Sequence, residues 1–206
     1  VNILSWMTPA APFHDSAVDR FRLNIAAYAC TNRIVHPLFQ MENEMLLSGS
    51  CHCQSVTFKV ESHYPYPFNL CYCSICRKTA GAGGFATNLS ASFDTLVIEG
   101  ADHIRSYRAR QKDETSGEIR ESLAERKFCG TCGSALWLWD PRWPELVHPH
   151  ASAIDSELPV PPERTHLMLG SKPAWVPTCI GTDDKTFDAY PDESIAQWHE
   201  RLGLTR

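Results

Sequence analysis

Cys71-Tyr-Cys-Ser-Ile-Cys-Arg-Lys78 packs three thiols into six residues, and its reading decides the fold. Two further pairs bracket it, Cys51-His-Cys53 upstream and Cys129-Gly-Thr-Cys132 downstream. Seven of the nine cysteines thus fall into the pattern CxC, CxCxxC, CxxC. A secreted disulfide scaffold is short and spreads an even number of cysteines along the chain. Here the chain is 206 residues long and the count is odd and clustered. Thiols held by a metal in a reducing, cytoplasmic setting fit that usage better.

The spacings suit zinc. Residues i and i+2 of a strand share a face, so Cys51 and Cys53 can aim two sulfurs at one point, as can Cys71 and Cys73. Cys76 lies three residues further on, where a turn returns it to the same point. Cys129-Gly-Thr-Cys-Gly-Ser134 reads as a zinc knuckle, whose glycines let backbone N–H groups turn towards the sulfurs. Structural zinc takes four protein ligands, and catalytic zinc takes three plus an exchangeable one. Two ions are therefore expected: a closed site of Cys51, Cys53, Cys129 and Cys132, and an open site of Cys71, Cys73 and Cys76. Spacing also allows the middle cluster to share ligands with either pair, or to complete one distorted site with thiols to spare. Cys30 and Cys179 lie outside the pattern and read as idle thiols. His52 points away from the first pair.

Working outward, the chain is mainly β. Leu46–Ser50 leads into the first cysteine pair, and Ser55–Val60 alternates as a strand does. Phe68–Cys73 is short and apolar, followed by a glycine-rich loop over Thr79–Gly84. Phe85–Leu89, Thr95–Ile98 and His103–Tyr107 read as short strands, and Arg108–Ile119 as a polar hairpin loop. Glu121–Phe128, Ala135–Trp139, Leu146–Ala151 and Thr165–Leu169 complete the strands. Ile195, Trp198 and Leu202 share one face of a short C-terminal helix, with Gly203 as its stop. Trp137, Trp139 and Trp143 are expected as core and rim, and Trp175 and Trp198 as packing of the tail. His148, His150 and His166 are expected to be hydrogen-bonded rather than metal ligands. Residues 1–44 read as an N-terminal extension, disordered or helical over Asp15–Ala29, with Met41 or Met45 a natural start for the domain that follows. The domain spans 45–180, and 181–206 is a tail.

Composition narrows the function. A net charge of −5 argues against a nucleic-acid partner, which needs a basic face. No run of 18 apolar residues is present, so no membrane span is expected.

Gly49-Ser-Cys-His-Cys53, Cys71–Lys78 and Phe128-Cys-Gly-Thr-Cys-Gly-Ser134 together resemble the glutathione-dependent formaldehyde-activating (Gfa) family, which includes centromere protein V. His166–Trp175 is similar to that family's C-terminal strand and turn. The resemblance implies a β-tent fold of small antiparallel sheets around zinc. It also implies the four-plus-three division, with Cys71, Cys73 and Cys76 catalytic. The implied activity is that of a carbon–sulfur lyase on a thiol–aldehyde adduct such as S-hydroxymethylglutathione. Arg77 and Lys78 then stand where a carboxylate of a glutathione-like substrate would be met. The alternative is a non-catalytic, zinc-stabilised binding module. The charged insertion at Gln111–Gly117 and the acidic-aromatic tail depart from the family pattern. Composition and spacing leave the oligomeric state open.

Overall fold

The computed structural model describes residues 44–112 and 116–205. The N-terminal extension, its helix and Cys30 lie outside the described residues, Glu44 apart. Among the described residues, twelve strands form three small sheets. Strands β1 (Met45–Ser50), β2 (Thr57–Ser62) and β6 (Val97–Glu99) make the first, entirely antiparallel. The second is also antiparallel and runs β5 (Ala91–Ser92), β10 (Leu146–Pro149), β9 (Ala135–Trp139), β8 (Ile119–Cys129), β7 (Ile104–Lys112).

The third sheet departs from the expectation of antiparallel sheets throughout. Its order is β12 (Lys185–Thr186), β11 (Thr165–Leu167), β3 (Asn69–Cys71), β4 (Ala86–Thr87). Here β11 lies parallel to both β3 and β12. Parallel pairing needs a long crossover rather than a hairpin. The chain from Tyr72 to Arg164, which includes the whole of the second sheet, is that crossover between β3 and β11.

The main core forms between the first two sheets. Leu47, Val56, Phe58, Val60, Leu136, Trp137 and Val147 are buried there. Alternation in β2 sends Phe58 and Val60 inward and leaves Lys59 exposed. Phe58 meets Trp137 edge-on, with ring centroids 5.1 Å apart, a favoured aromatic geometry. Cys51 and Cys129 belong to the same core and are fully buried. Burying groups of this size is the main force holding the domain together.

Three elements differ from the sequence reading. Residues 108–112 and Ile119 are not loop. They extend β7 and β8 into one long hairpin, paired out to Lys112 and Ile119. Its charged residues line both exposed faces, so the arm carries no apolar alternation to betray it. Cys76 lies in a short helix, α1 (Ser74–Thr79), instead of a turn. The tail after Gly181 contributes β12 to the third sheet. The terminal helix is as expected: α2 spans Ile195–Arg201 and is capped reciprocally by Ser194 and Gln197. Its Trp198 is fully buried and stacks on Phe68 at 3.9 Å. Trp175, expected to pack the tail, is 66 % exposed instead. No described helix is long and apolar enough to cross a membrane.

Candidate metal centres

The four-sulfur group joins two loops. Between β1 and β2, Cys51 N donates to Val56 O and Gln54 N to Cys51 O, both at 2.9 Å. Gln54 takes φ 62, which closes the turn. Cys51 and Cys53 therefore converge from a turn and not from one face of a strand, as the spacing had suggested. At the end of β8, Cys129 N bonds Ser134 O at 2.9 Å and Gly133 N bonds Cys129 O at 2.8 Å. Gly133 holds φ +78, the left-handed region glycine enters freely. His52 N donates to Ser134 Oγ at 3.1 Å and ties the two loops together.

All four sulfurs lie within 4.8 Å of one another. Cys51 and Cys53 approach to 3.5 Å, and Cys53 and Cys129 to 3.8 Å. A disulfide would need about 2.05 Å. Sulfurs each about 2.3 Å from a central tetrahedral ion stand close to 3.8 Å apart, so the group fits a metal. The environment also favours thiolates at the exposed corners. The Ser134 hydroxyl and N–H, with the Cys53 N–H, hold Cys132 at about 5. Ser55 lowers Cys53 in the same way. Cys51 is pushed up to about 11 by burial, against the pull of the Val56 N–H.

The second group comprises Cys71, Cys73 and Cys76, whose sulfurs likewise lie within 4.8 Å of one another. Cys71 ends β3, Cys73 caps α1, and Cys76 lies in its first turn. The Cys73 sulfur accepts from Cys76 N at 3.3 Å. The neighbouring Cys71 and Cys76 thiols, and the N–H groups of Cys76 and Ile75, push Cys73 far down. Cys71 is pushed up by the Cys73 and Cys76 sulfurs and by burial. Leu167, Ala86, Ala80 and Met168 pack around the sulfurs. The structure therefore separates the seven cysteines into groups of four and three, both able to hold a metal ion.

Arg77 and Lys78 follow on the last turn of α1. With Thr79–Ala82, Gly133–Ala135 and Ser152 they line a groove of about 330 Å³. Arg77 Nε is buried there without a hydrogen-bond partner. The glycine-rich loop is a tight turn: Gly84 N bonds Gly81 O at 2.8 Å, and a Cβ on Gly81 would meet Phe85 O at 2.2 Å.

The histidines are hydrogen-bonded, as expected. His148 Nδ1 lies 3.0 Å from Leu89 O, and His150 Nδ1 2.9 Å from Asn88 Oδ1. Burial, with Arg126 and His148 adding to it, lowers His150 to about 4. Sequence reasoning missed a buried chain behind the second group. His166 Nε2 lies 3.3 Å from Asp184 Oδ2, and its Nδ1 lies 3.0 Å from the hydroxyl of Tyr72, between Cys71 and Cys73. With Nε2–H donating to the carboxylate, Nδ1 is left to accept from Tyr72. The only cue was an acidic residue in the tail, 18 positions from His166.

Burial alone would push the Asp184 carboxyl up. N–H donors of Gly181 and Arg164, and the His166 ring, outweigh it and hold the group below its ordinary value. Such a carboxylate contributes stability that is present above its unfolded value of about 3.9 and is lost as pH falls through the lower folded value. Asp184→Asn is expected to cost about 2 kcal/mol at pH 7. Its gap to wild type should close below about pH 4. Urea denaturation of both proteins over that range checks this. A gap independent of pH would mean that the carboxylate's charge contributes nothing.

A small-sheet β protein with two cysteine clusters able to hold metal ions is the class these features define. The family model for glutathione-dependent formaldehyde-activating enzymes matches residues 46–169. The chain belongs to that family. A Halomonas elongata protein, provisionally named a glutathione-dependent formaldehyde-activating enzyme, is 62 % identical over 160 residues, covering 78 % of this chain and 98 % of its own. A solved Rhodobacter sphaeroides protein is 25 % identical, covers 54 % of this chain and 91 % of its own, and has a TM-score of 0.39, too low to weigh on the fold.

Proposed function

We propose that this protein is a zinc-dependent carbon–sulfur lyase that makes or breaks the S-hydroxymethyl adduct of a thiol, glutathione foremost. The observation that carries the proposal is the separation of the sulfurs into a complete set of four and an incomplete set of three. Four thiolates close a tetrahedral ion, whereas three leave one position for an exchangeable ligand. Held by Cys71, Cys73 and Cys76, zinc would supply a Lewis acid that keeps a substrate thiol ionised at neutral pH. Family membership and the name of the Halomonas relative support glutathione and formaldehyde as the pair.

The reaction is neither an oxidation nor a reduction. In the forward sense the thiol sulfur bonds the aldehyde carbon, the C=O pair moves to oxygen, and the thiol proton ends there. Cys71, Cys73 and Cys76 make the site anionic, which suits it to holding a thiol more than to activating water. Arg77 and Lys78 bind and orient. Their groove begins one residue after Cys76, and a guanidinium and an ammonium are donors suited to a substrate carboxylate. The eight described cysteines are all unbridged, which suits a reducing, cytoplasmic setting.

The first test is elemental analysis of protein purified without chelator, paired with a thiol count and an adduct assay. Two zinc ions per chain, two of the nine thiols reactive, and adduct turnover above the spontaneous rate are expected. Doubly loaded protein with no rate above background would overturn the lyase reading in favour of a binding module.

A further inference from the structure

Asp184 belongs to the tail beyond the family-matched residues 46–169, yet its carboxylate is turned into the protein. The Asp184 side chain is 5 % exposed and that of His166 1 %. Its Oδ1 accepts from Arg164 N at 2.8 Å, and its Oδ2 from Gly181 N at 2.7 Å. Beyond Asp184 the tail stays bonded to the same strand. Phe187 N donates to His166 O at 2.8 Å, and Met168 N donates to Ala189 O at 2.9 Å.

Tyr72 joins this tail to the cysteines. Cys71 pairs with Ala86 on one side and Leu167 on the other, and those three pack with Cys76. Leu70 and Tyr72 instead pack with Val176 in a separate cluster. Alternation explains the split: the sulfurs take one face of the third sheet and the phenol takes the other. On its own face the Tyr72 ring is fully buried, stacks on His166 at 5.8 Å and meets Phe85 at 5.3 Å. Strand β11 therefore holds Tyr72 twice, through Leu167 O, which accepts from Tyr72 N at 3.0 Å, and through His166 Nδ1, 3.0 Å from the hydroxyl. A phenylalanine would fill the same space with no histidine or carboxylate behind it. Burying such polar groups is costly unless each is paired. What a fully paired chain adds over an apolar brace is direction, because it admits one arrangement of its members.

We infer that Asp184, acting through His166 and Tyr72, positions Cys71 and Cys73, so that the tail sets how tightly the three-sulfur centre holds its metal ion. Tyr72 is the one residue between those two ligands, and the dihedral angles around it decide how far apart their sulfurs stand. A ligand set holds its geometry when the residues behind it are locked by packing and hydrogen bonds. The three side chains are positioning residues and touch no substrate. The inference rests on the reading of Cys71, Cys73 and Cys76 as metal ligands, and not on the reaction performed there.

The test uses the full chain loaded with cobalt(II) in place of zinc, whose visible absorption reports ligand geometry. Chelator competition gives the affinity for each ion, and the second ion is the one that Cys73→Ser lacks. Tyr72→Phe keeps the ring and removes only the hydroxyl, and Asp184→Asn breaks the chain at its far end. Each is expected to weaken the second ion at least about tenfold and to shift its absorption, with the first ion held as in wild type. The double variant should lose no more than the larger single loss, since both changes break one chain. All affinities are measured well below each variant's melting temperature, so a general loss of stability leaves them unmoved. If Tyr72→Phe does not fold, Asp184→Asn decides alone by the same readouts. A second ion held equally by wild type and variants overturns the inference, as do losses that add in the double variant, or a first ion weakened as much as the second. A wild type that takes up one ion only overturns the metal reading of the three cysteines, and the inference with it.

Discussion

Cys129→Ser is expected to abolish the native fold. Cys129 is fully buried, ends the longest strand of the second sheet, and belongs to the main core. Its sulfur lies 3.8 Å from that of Cys53, on the loop that joins two strands of the first sheet. The four-sulfur group thus ties together the sheets that enclose the core. A structural zinc site is worth about 10–16 kcal/mol in small zinc-dependent domains. A whole domain is stable by only about 5–15 kcal/mol. Losing even half of the metal's contribution, about 5–8 kcal/mol, would remove all of that margin at its lower end and about half of it at its upper end. Thermal unfolding followed by circular dichroism checks this. The variant should be insoluble or melt about 15 °C or more below wild type, given about 2–4 °C per kcal/mol at this size. Chelation of wild type should lower the melting temperature similarly. A variant melting within a few degrees of wild type would show that the four-sulfur group is not structural.

The sequence displayed the ligands more clearly than the backbone that presents them. Cysteine pairs at short spacing are visible in any conformation, so the seven sulfurs were legible before the geometry, whereas their division into four and three was one of several arrangements the spacing allowed. The geometry itself was not. Strand logic placed Cys51 and Cys53 on one face, yet a turn closed by Gln54 at φ 62 brings them together. Cys76 was placed in a turn because six residues are too few for helical periodicity to register. The β7–β8 arm looked like loop because its side chains are polar on both faces, and its pairing resides in the backbone. Pairing between Leu167 and Cys71, 96 positions apart, has no local signature. Contacts set by parallel crossovers and by a returning tail depend on the whole chain, and a window of neighbours cannot show them.

Cys73→Ser is expected to bring adduct turnover to the uncatalysed background while leaving the fold intact. The contrast with Cys129 follows from where each sulfur stands. Cys73 is half-buried in a satellite cluster, away from the main core. Its structural duty is to cap α1, where its sulfur accepts from Cys76 N at 3.3 Å. Serine is among the preferred N-cap residues, so the helix keeps its cap and the melting temperature should shift by no more than a few degrees. The chemical duty does not survive the exchange. Loss of an outer-shell partner alone costs about 10–100-fold in metal affinity or activity. Here one of only three ligands is lost, and it is the one its neighbours hold lowest. Elemental analysis should fall from two ions per chain to one, and activity should vanish with the second ion. If one ion remains and turnover is undiminished, the three-cysteine site is not where the carbon–sulfur bond is made. If both ions and all activity are lost together, the two centres depend on each other, and the division into a structural and a catalytic site fails.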